Sequence, residues 1–182
     1  LEPLGHEACR QLINNLFRNA DIPHALRSLI VERADGNPFY VEEVVRSLIE
    51  EGAVEADGDE FRATEKIHSV HIPGTVQEVI MARVDRLELR KRQLLQVASV
   101  IGRSFHQEVL AQIFQDKDQL LEDIEALRRD QFLVGWDRTQ GIQHAFKHPL
   151  IQEVVYDALL KTRREELHLQ VGNAIEVTLT RN

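Results

Sequence analysis

His144 and His148 stand four residues apart, a spacing that on one helix face would offer two imidazoles to a metal ion. Here the first falls in a stretch that reads as a strand and the second at a helix start, so the rings need not face a common ion. No third ligand is evident, and the single cysteine, Cys9, excludes a thiolate zinc cage and an internal disulfide. Phosphate-binding chemistry is also missing. The chain has no G-x-x-x-x-G-K-[ST] string, no glycine is followed by lysine, and neither G-x-G-x-x-G nor H-E-x-x-H occurs. No Ser-His-Asp or Cys-His set stands out, and His68 and His71 read as solvated connector residues. An autonomous enzyme is not expected.

The elements that would position these residues follow from glycine and proline punctuation. A first helix is expected over His6–Phe17, with Leu12, Ile13, Leu16 and Phe17 on one stripe. A second begins after Asp21 with Pro23 in its first turn, repeats Leu26, Leu29, Ile30 and Ala34, and stops at Gly36. Asn37-Pro38 then reads as an N-cap with proline at the first helical position. The helix it opens turns Val41, Val44, Val45, Leu48 and Ile49 inward, keeps Glu42 and Glu43 near its positive end, and closes at Gly52. Residues 53–56 and 61–64 flank Asp57-Gly58, a hairpin signal, and Ile67 to Gly74 reads as an extended connector. Thr75 with Glu78 forms a capping box for a helix burying Val76, Val79, Ile80, Val84 and Leu87.

Further helices are expected around Leu94, Leu95, Ala98 and Ile101, over about 106–114, and over about 117–131 with Leu120, Leu121, Ile124 and Leu127 inward. Phe132–Trp136 and Ile142–Phe146 read as two strands with Arg138–Gly141 as their turn. Pro149 opens a helix with Leu150, Ile151, Val154, Val155, Ala158 and Leu159 inward. Thr162 and Glu165 form a second capping box for a last helix through Val171, Ala174, Ile175 and Leu179. Helices followed by a two-stranded wing predict a winged helix.

At 182 residues the chain has room for one ordinary domain or two small ones, and 43% hydrophobic with 29% charged residues excludes a disordered chain. The net charge of -8 disfavours nonspecific binding to nucleic acid or anionic membrane, both of which depend on neutralising phosphates. No apolar run approaches the ~20 residues of a membrane span and no signal peptide opens the chain, so a cytoplasmic location is expected. Leu1 stands where an initiator methionine would, and the last helix reaches Asn182 without a stop signal, so the sequence reads as a piece of a longer protein.

Four strings together resemble one family. Gly36-Asn37-Pro38-Phe39-Tyr40-Val41-Glu42-Glu43 is similar to a G-N-P-F-[FY]-x-E-E signature. Ile72-Pro73-Gly74-Thr75-Val76 with Ala82-Arg83-Val84-Asp85-Arg86-Leu87 is similar to an "IP-x-TV…aR-x-D-x-L" segment, and Ala98 to Phe105 to an "AavIGr-x-F" string. Phe146-Lys147-His148-Pro149-Leu150-Ile151-Gln152-Glu153, with Tyr156 and Arg163 to His168, is similar to an "F-x-Ha-LiqE…Y…R…lH" end. The family is that of the STAND ATPases, AAA-like signal-transduction regulators, in the form linked to class III adenylate or guanylate cyclases, serine/threonine kinases or LuxR-type regulators.

The resemblance implies a mainly α chain: a helical lid subdomain with a short hairpin over residues 1–66, and over 67–182 a winged-helix domain plus the start of a following helical region. It implies a regulatory segment that senses nucleotide state, with ATP or ADP and Mg bound in the full-length parent and no cofactor in this piece. The implied partners are an upstream nucleotide-binding domain and downstream helical repeats of the same chain, with no nucleic acid and no membrane. The implied nucleotide-contact residues are Pro38 with Gly36, packing near the base, and His148, meeting the β-phosphate in the resting state. The Asp of the commoner M-H-D form is Pro149 here.

Other readings of the same residues stay open. Gly36-Asn37-Pro38 is also an ordinary helix stop and start, and His148 is also a helix cap. Phe39, Phe105, Phe146 and Trp136 read as core, Arg90-Lys91-Arg92 as a solvated face, and Tyr156 as packed with its hydroxyl at the surface. A winged-helix transcriptional regulator is the alternative function. Its recognition helix, however, would carry six acids against three bases between Asp116 and Asp130, a local charge that a DNA groove repels. A structural adaptor for partner proteins is a third reading.

Overall fold

Local capping chemistry sets the helix boundaries. The computed structural model describes residues 3–17, 22–57, 60–135 and 144–180, which are mainly α with two small antiparallel sheets. The chain divides into two compact units, Leu1–Arg83 and Val84–Asn182.

In the first unit, α1 (His6–Phe17), α2 (His24–Ala34) and α3 (Pro38–Glu50) pack against one another. Cys9, Ile13 and Phe17 of α1 meet a core that includes Ile30, Tyr40, Val41, Val44 and Leu48. Asn37 caps α3, its side-chain oxygen accepting from the amides of Phe39 (3.0 Å) and Tyr40 (3.4 Å). Strands β1 (Val54–Asp57) and β2 (Glu60–Ala63) pair from Val54 opposite Ala63 to Asp57 opposite Glu60. Thr64 caps a 3-10 turn over Glu65–His68, and its hydroxyl donates to the Gly52 carbonyl at 2.8 Å. Helix α4 (Val76–Arg86) opens on the expected capping box: the Glu78 amide donates to the Thr75 hydroxyl, and the Glu78 carboxylate accepts from the amides of Gly74 (2.8 Å) and Thr75 (3.2 Å).

The second unit holds α5 (Leu89–Ile101), β3 (Ser104–Phe105), α6 (Gln107–Ile113), α7 (Lys117–Arg129), β4 (Leu133–Gly135), β5 (His144–Phe146), α8 (Pro149–Asp157) and α9 (Lys161–Thr180). The sheet order is β3-β5-β4, with β5 pairing antiparallel to both neighbours. This succession of helix, strand, two helices and hairpin is the expected winged-helix topology. Helix α5 lies at its centre, packed on α7, α8 and α9.

Several expectations are corrected. The connector after residue 66 is not simply extended: Ile67 and Ile72 are buried, and part of it is a 3-10 turn. Strand β3 was not expected, being two residues long with no alternation to betray it. Thr162 is not a cap, since α9 already begins at Lys161. Leu121, Ile175 and Leu179, expected inward, are exposed, as is Ala158. Phe39 is half-buried, whereas Phe105 and Phe146 are core residues. Trp136 and the turn at 138–141 lie outside the described residues, as does the hairpin tip at 58–59.

Candidate functional site

Gly36 and Pro38 share one turn between α2 and α3. Asp35 (φ 44°) and Gly36 (φ 75°) both take the left-handed conformation that ends α2. A side chain at Gly36 is excluded twice, because its Cβ would stand 2.6 Å from Pro3 Cβ and 2.8 Å from the Leu4 carbonyl oxygen. The Leu4 amide donates to the Gly36 carbonyl at 2.8 Å, so the segment before α1 seals the turn. Pro38, first residue of α3, is exposed.

Further along α3, the strings singled out by sequence meet. Glu43 was placed near the helix's positive end, but it is completely buried and paired with Arg83 of α4, itself 1% exposed. The same guanidinium binds Glu50 through Nε (2.9 Å to Oε1) and Nη2 (2.5 Å to Oε1). Burial by itself would lower the Arg83 pKa; the hydrogen bonds and charges of Glu50 and Glu43 outweigh it and hold it above the ordinary arginine value. Arg46, 3.7 Å from the other Glu43 oxygen, is pushed down by burial, against the pull of Glu43. Tyr40 of the first string donates its hydroxyl to the Pro73 carbonyl at 2.7 Å, and Arg33 donates to the Ile72 carbonyl. Burial raises the Tyr40 pKa above that of free tyrosine. Helical periodicity held the signal: Glu43 falls on the stripe of Tyr40, Val44 and Ser47, and all three are buried.

The other two strings meet in the second unit. The Phe146 amide donates to the Arg103 carbonyl (3.0 Å), and Gln152 Nε2 to the Ser99 carbonyl (2.8 Å). Arg103 pairs with Glu153 at 2.8 Å, and the Phe105 and Phe146 rings meet edge-on at 6.2 Å. His148 sits at the end of this weave as the N-cap of α8, Nδ1 accepting from the Leu150 amide at 3.1 Å. In neutral imidazole that acceptor role assigns the proton to Nε2. His148 thus performs the capping role through Nδ1, which leaves Nε2 as the protonated nitrogen of the neutral ring. Gly36 and Pro38 belong to the first unit and His148 to the second.

Two arginine-braced corners were also missed. Arg92 donates to the carbonyls of Val84, Asp85 and Leu87 at the end of α4, and Arg164 to those of Tyr156, Asp157 and Leu159 at the end of α8. The sequence offsets are 8, 7 and 5 residues in both, so Arg90-Lys91-Arg92 is not simply a solvated face. Arg90 also reaches buried Asp123 at 2.6 Å. The Arg164 guanidinium lies 4.3 Å from the Tyr156 ring centre, and the Tyr156 hydroxyl bonds His168 Nε2 at 2.9 Å.

His144 lies in β5 and His148 at the start of α8, and among the described residues no group of three or more His, Cys, Asp or Glu could hold a metal. His144 is 7% exposed. Among the described residues its Nδ1 has no hydrogen-bond partner, and Nε2 lies 3.5 Å from Gln107 Oε1. Burial, then the Arg128 charge, lowers its pKa, while Glu125 and Glu108 oppose that shift. Helix α7, before the wing, exposes Asp118, Glu122 and Glu125. Among the described residues no helix is long and apolar enough to cross a membrane.

Residues 5–62 match a family model described as "Domain of unknown function (DUF8739)". The chain is similar to "Uncharacterized protein R02095" of Rhizobium meliloti (strain 1021), 24% identical over 147 residues. That match takes in 79% of this chain and 14% of the relative, so the chain corresponds to a small part of a much longer protein.

Proposed function

We propose that this chain is the nucleotide-state-sensing segment of a multidomain, cytoplasmic signalling ATPase, a helical lid followed by a winged helix. The nucleotide, with Mg, is held mainly by an upstream domain of the longer protein, and the output is an attached cyclase, kinase or transcriptional module. The observation that carries this reading is the Gly36–Pro38 turn. A glycine that admits no side chain presents an exposed proline ring at the head of α3, and a rigid apolar ring is what packing on a nucleotide base requires. His148, with Nε2 as its N–H, supplies the second contact, to the ADP β-phosphate in the closed state. Exchange for ATP removes that contact and releases the winged helix, a two-state element biased by differential binding.

The winged-helix topology also suits DNA, but the acids on α7 would meet phosphates with like charge. A duplex-selection experiment returning a consensus site at ~0.15 M salt would favour that reading instead.

The test is His148→Ala in the longer protein. Loss of a charge-assisted hydrogen bond of ~1.5–3 kcal/mol should speed ADP release about ten- to a hundredfold. Unchanged ADP release with a lowered melting temperature would leave His148 as a helix cap alone and remove the switch.

A further inference from the structure

We propose that the cleft between α1 and α2 is a binding site for a phosphate monoester, the terminal phosphate of a small metabolite or of a phosphorylated side chain. The cleft holds about 150 Å³ and is lined by Arg10, Ile13 and Asn14 of α1 and by His24, Arg27 and Ser28 of α2. Each helix contributes positions i, i+3 and i+4, which share one face, so two such stripes meet across the cleft. Ile13, 1% exposed, is its apolar floor. The other five side chains all carry hydrogen-bond donors, and among the described residues that line the cleft none is acidic. Arg27 Nη1 donates to Asn14 Oδ1 at 2.5 Å, from one helix to the other. That bond fixes one edge of the guanidinium fork and assigns the NH2 of Asn14 as its remaining, donating end. Ser28 Oγ lies 3.5 Å from His24 Nδ1, one turn away on α2. Arg10 meets Glu7 at 3.7 Å, but both are mostly exposed, and such a pair is too weak to hold Arg10 from a doubly charged partner. In a chain of net charge -8, two guanidiniums face one cleft with no carboxylate in its lining, a repulsion that a bound anion removes. A phosphate monoester suits this donor set better than a carboxylate, because it brings three acceptor oxygens and close to two negative charges. Pockets for whole small molecules run from about 300 to 1,000 Å³, so this cleft takes the phosphate group and leaves the rest of the ligand outside. It stands apart from the nucleotide reading: His24 opens α2, and the Gly36–Pro38 turn follows its other end, about 15 Å along the helix.

Titration of this chain with inorganic phosphate, followed by amide NMR shifts at fixed ionic strength, tests the site. Saturating shifts should centre on residues 10–14 and 24–28, with half-saturation at about 1 mM from two charge-assisted contacts. Arg10→Ala and Arg27→Ala should each weaken binding about ten- to a hundredfold. Arg10 is mostly exposed, so its replacement reads the site even where Arg27→Ala disturbs the packing of α1 on α2. Arg62→Ala makes the same change of charge on β2 and should leave the affinity unaltered. Shifts that chloride reproduces at matched ionic strength, an equal loss in Arg62→Ala, or no saturable shift at these residues overturns the proposal. A sugar phosphate and a phosphoserine peptide then distinguish the sources. Tighter binding of the sugar phosphate assigns a free metabolite, and tighter binding of the peptide assigns a phosphorylated segment. An unphosphorylated peptide bound as tightly as its phosphorylated form overturns the phosphate assignment. None of these outcomes bears on His148→Ala, and failure of that test leaves the cleft untouched.

Discussion

Arginine is used in two different ways on either side of the division. In the first unit Arg83 is withdrawn from water and neutralised by two carboxylates. In the second, Arg92 and Arg164 stay about one-third exposed and cover the open carbonyls at the ends of α4 and α8. Glu43 lies in a dry interior, where a charge that loses its partner has no solvent to replace it, while Glu50 is partly exposed. Carbonyls at a helix end are only partial charges with water close by, so losing their donor costs one ordinary set of hydrogen bonds. The same residue type therefore marks a rigid joint in one unit and a replaceable brace in the other.

The largest expected effect tests that contrast directly. Arg83→Ala should cost about 3–5 kcal/mol of the first unit's stability, because buried Glu43 keeps only the more distant Arg46, at 3.7 Å, whereas Arg92→Ala should cost about 1–2 kcal/mol. Urea unfolding followed by a probe in each unit measures both, and equal losses would dissolve the distinction. Between the two corners the difference is smaller and sharper. Arg164→Ala should exceed Arg92→Ala by about 0.5–1 kcal/mol, because Arg164 also lies over the Tyr156 ring. Removing that ring with Tyr156→Leu should bring the two costs together.

The smallest effect is one of pH. Burial favours neutral His144 in the folded state, so its pKa lies below the unfolded value of about 6.5. The unfolded chain then takes up the proton first. The stability His144 contributes is complete above pH ~6.5 and is lost as pH falls through the lowered folded value. Thermal melts of the wild type should weaken between pH 7 and pH 5.5 more than those of His144→Leu, and parallel slopes would exclude His144 as the source. Tyr40 has the opposite sign: its raised pKa makes its contribution present below pH ~10 and lost above it.

Much of the fold was legible because its signals are local. Asn37-Pro38 and Thr75 with Glu78 mark helix starts through bonds that span two to four residues, and both form as expected. The Thr162 and Glu165 pattern has the same letters and fails, because α9 begins at Lys161. Of the candidate site, Gly36, Pro38 and His148 were singled out from their strings, but the crowding that forbids a side chain at Gly36 comes from Pro3 and Leu4, more than thirty positions earlier. The arginine corners were readable in principle, since Val84-Asp85 to Arg92 and Tyr156-Asp157 to Arg164 repeat the same offsets.

By itself the sequence determined the mainly α character, nearly every helix boundary and the two strands β4 and β5, all set by residue type and spacing within a few positions. Tertiary structure alone decided that Glu43 is a buried partner of Arg83 rather than a charge at a helix end. It also decided that the connector is docked through Ile67 and Ile72, and that Ser104–Phe105 completes a three-stranded sheet. The physical reason is range. Capping and periodicity are satisfied within one or two turns of chain, whereas a buried charge finds its counterpart forty residues away, and a two-residue strand exists only because β5 is there to pair with it.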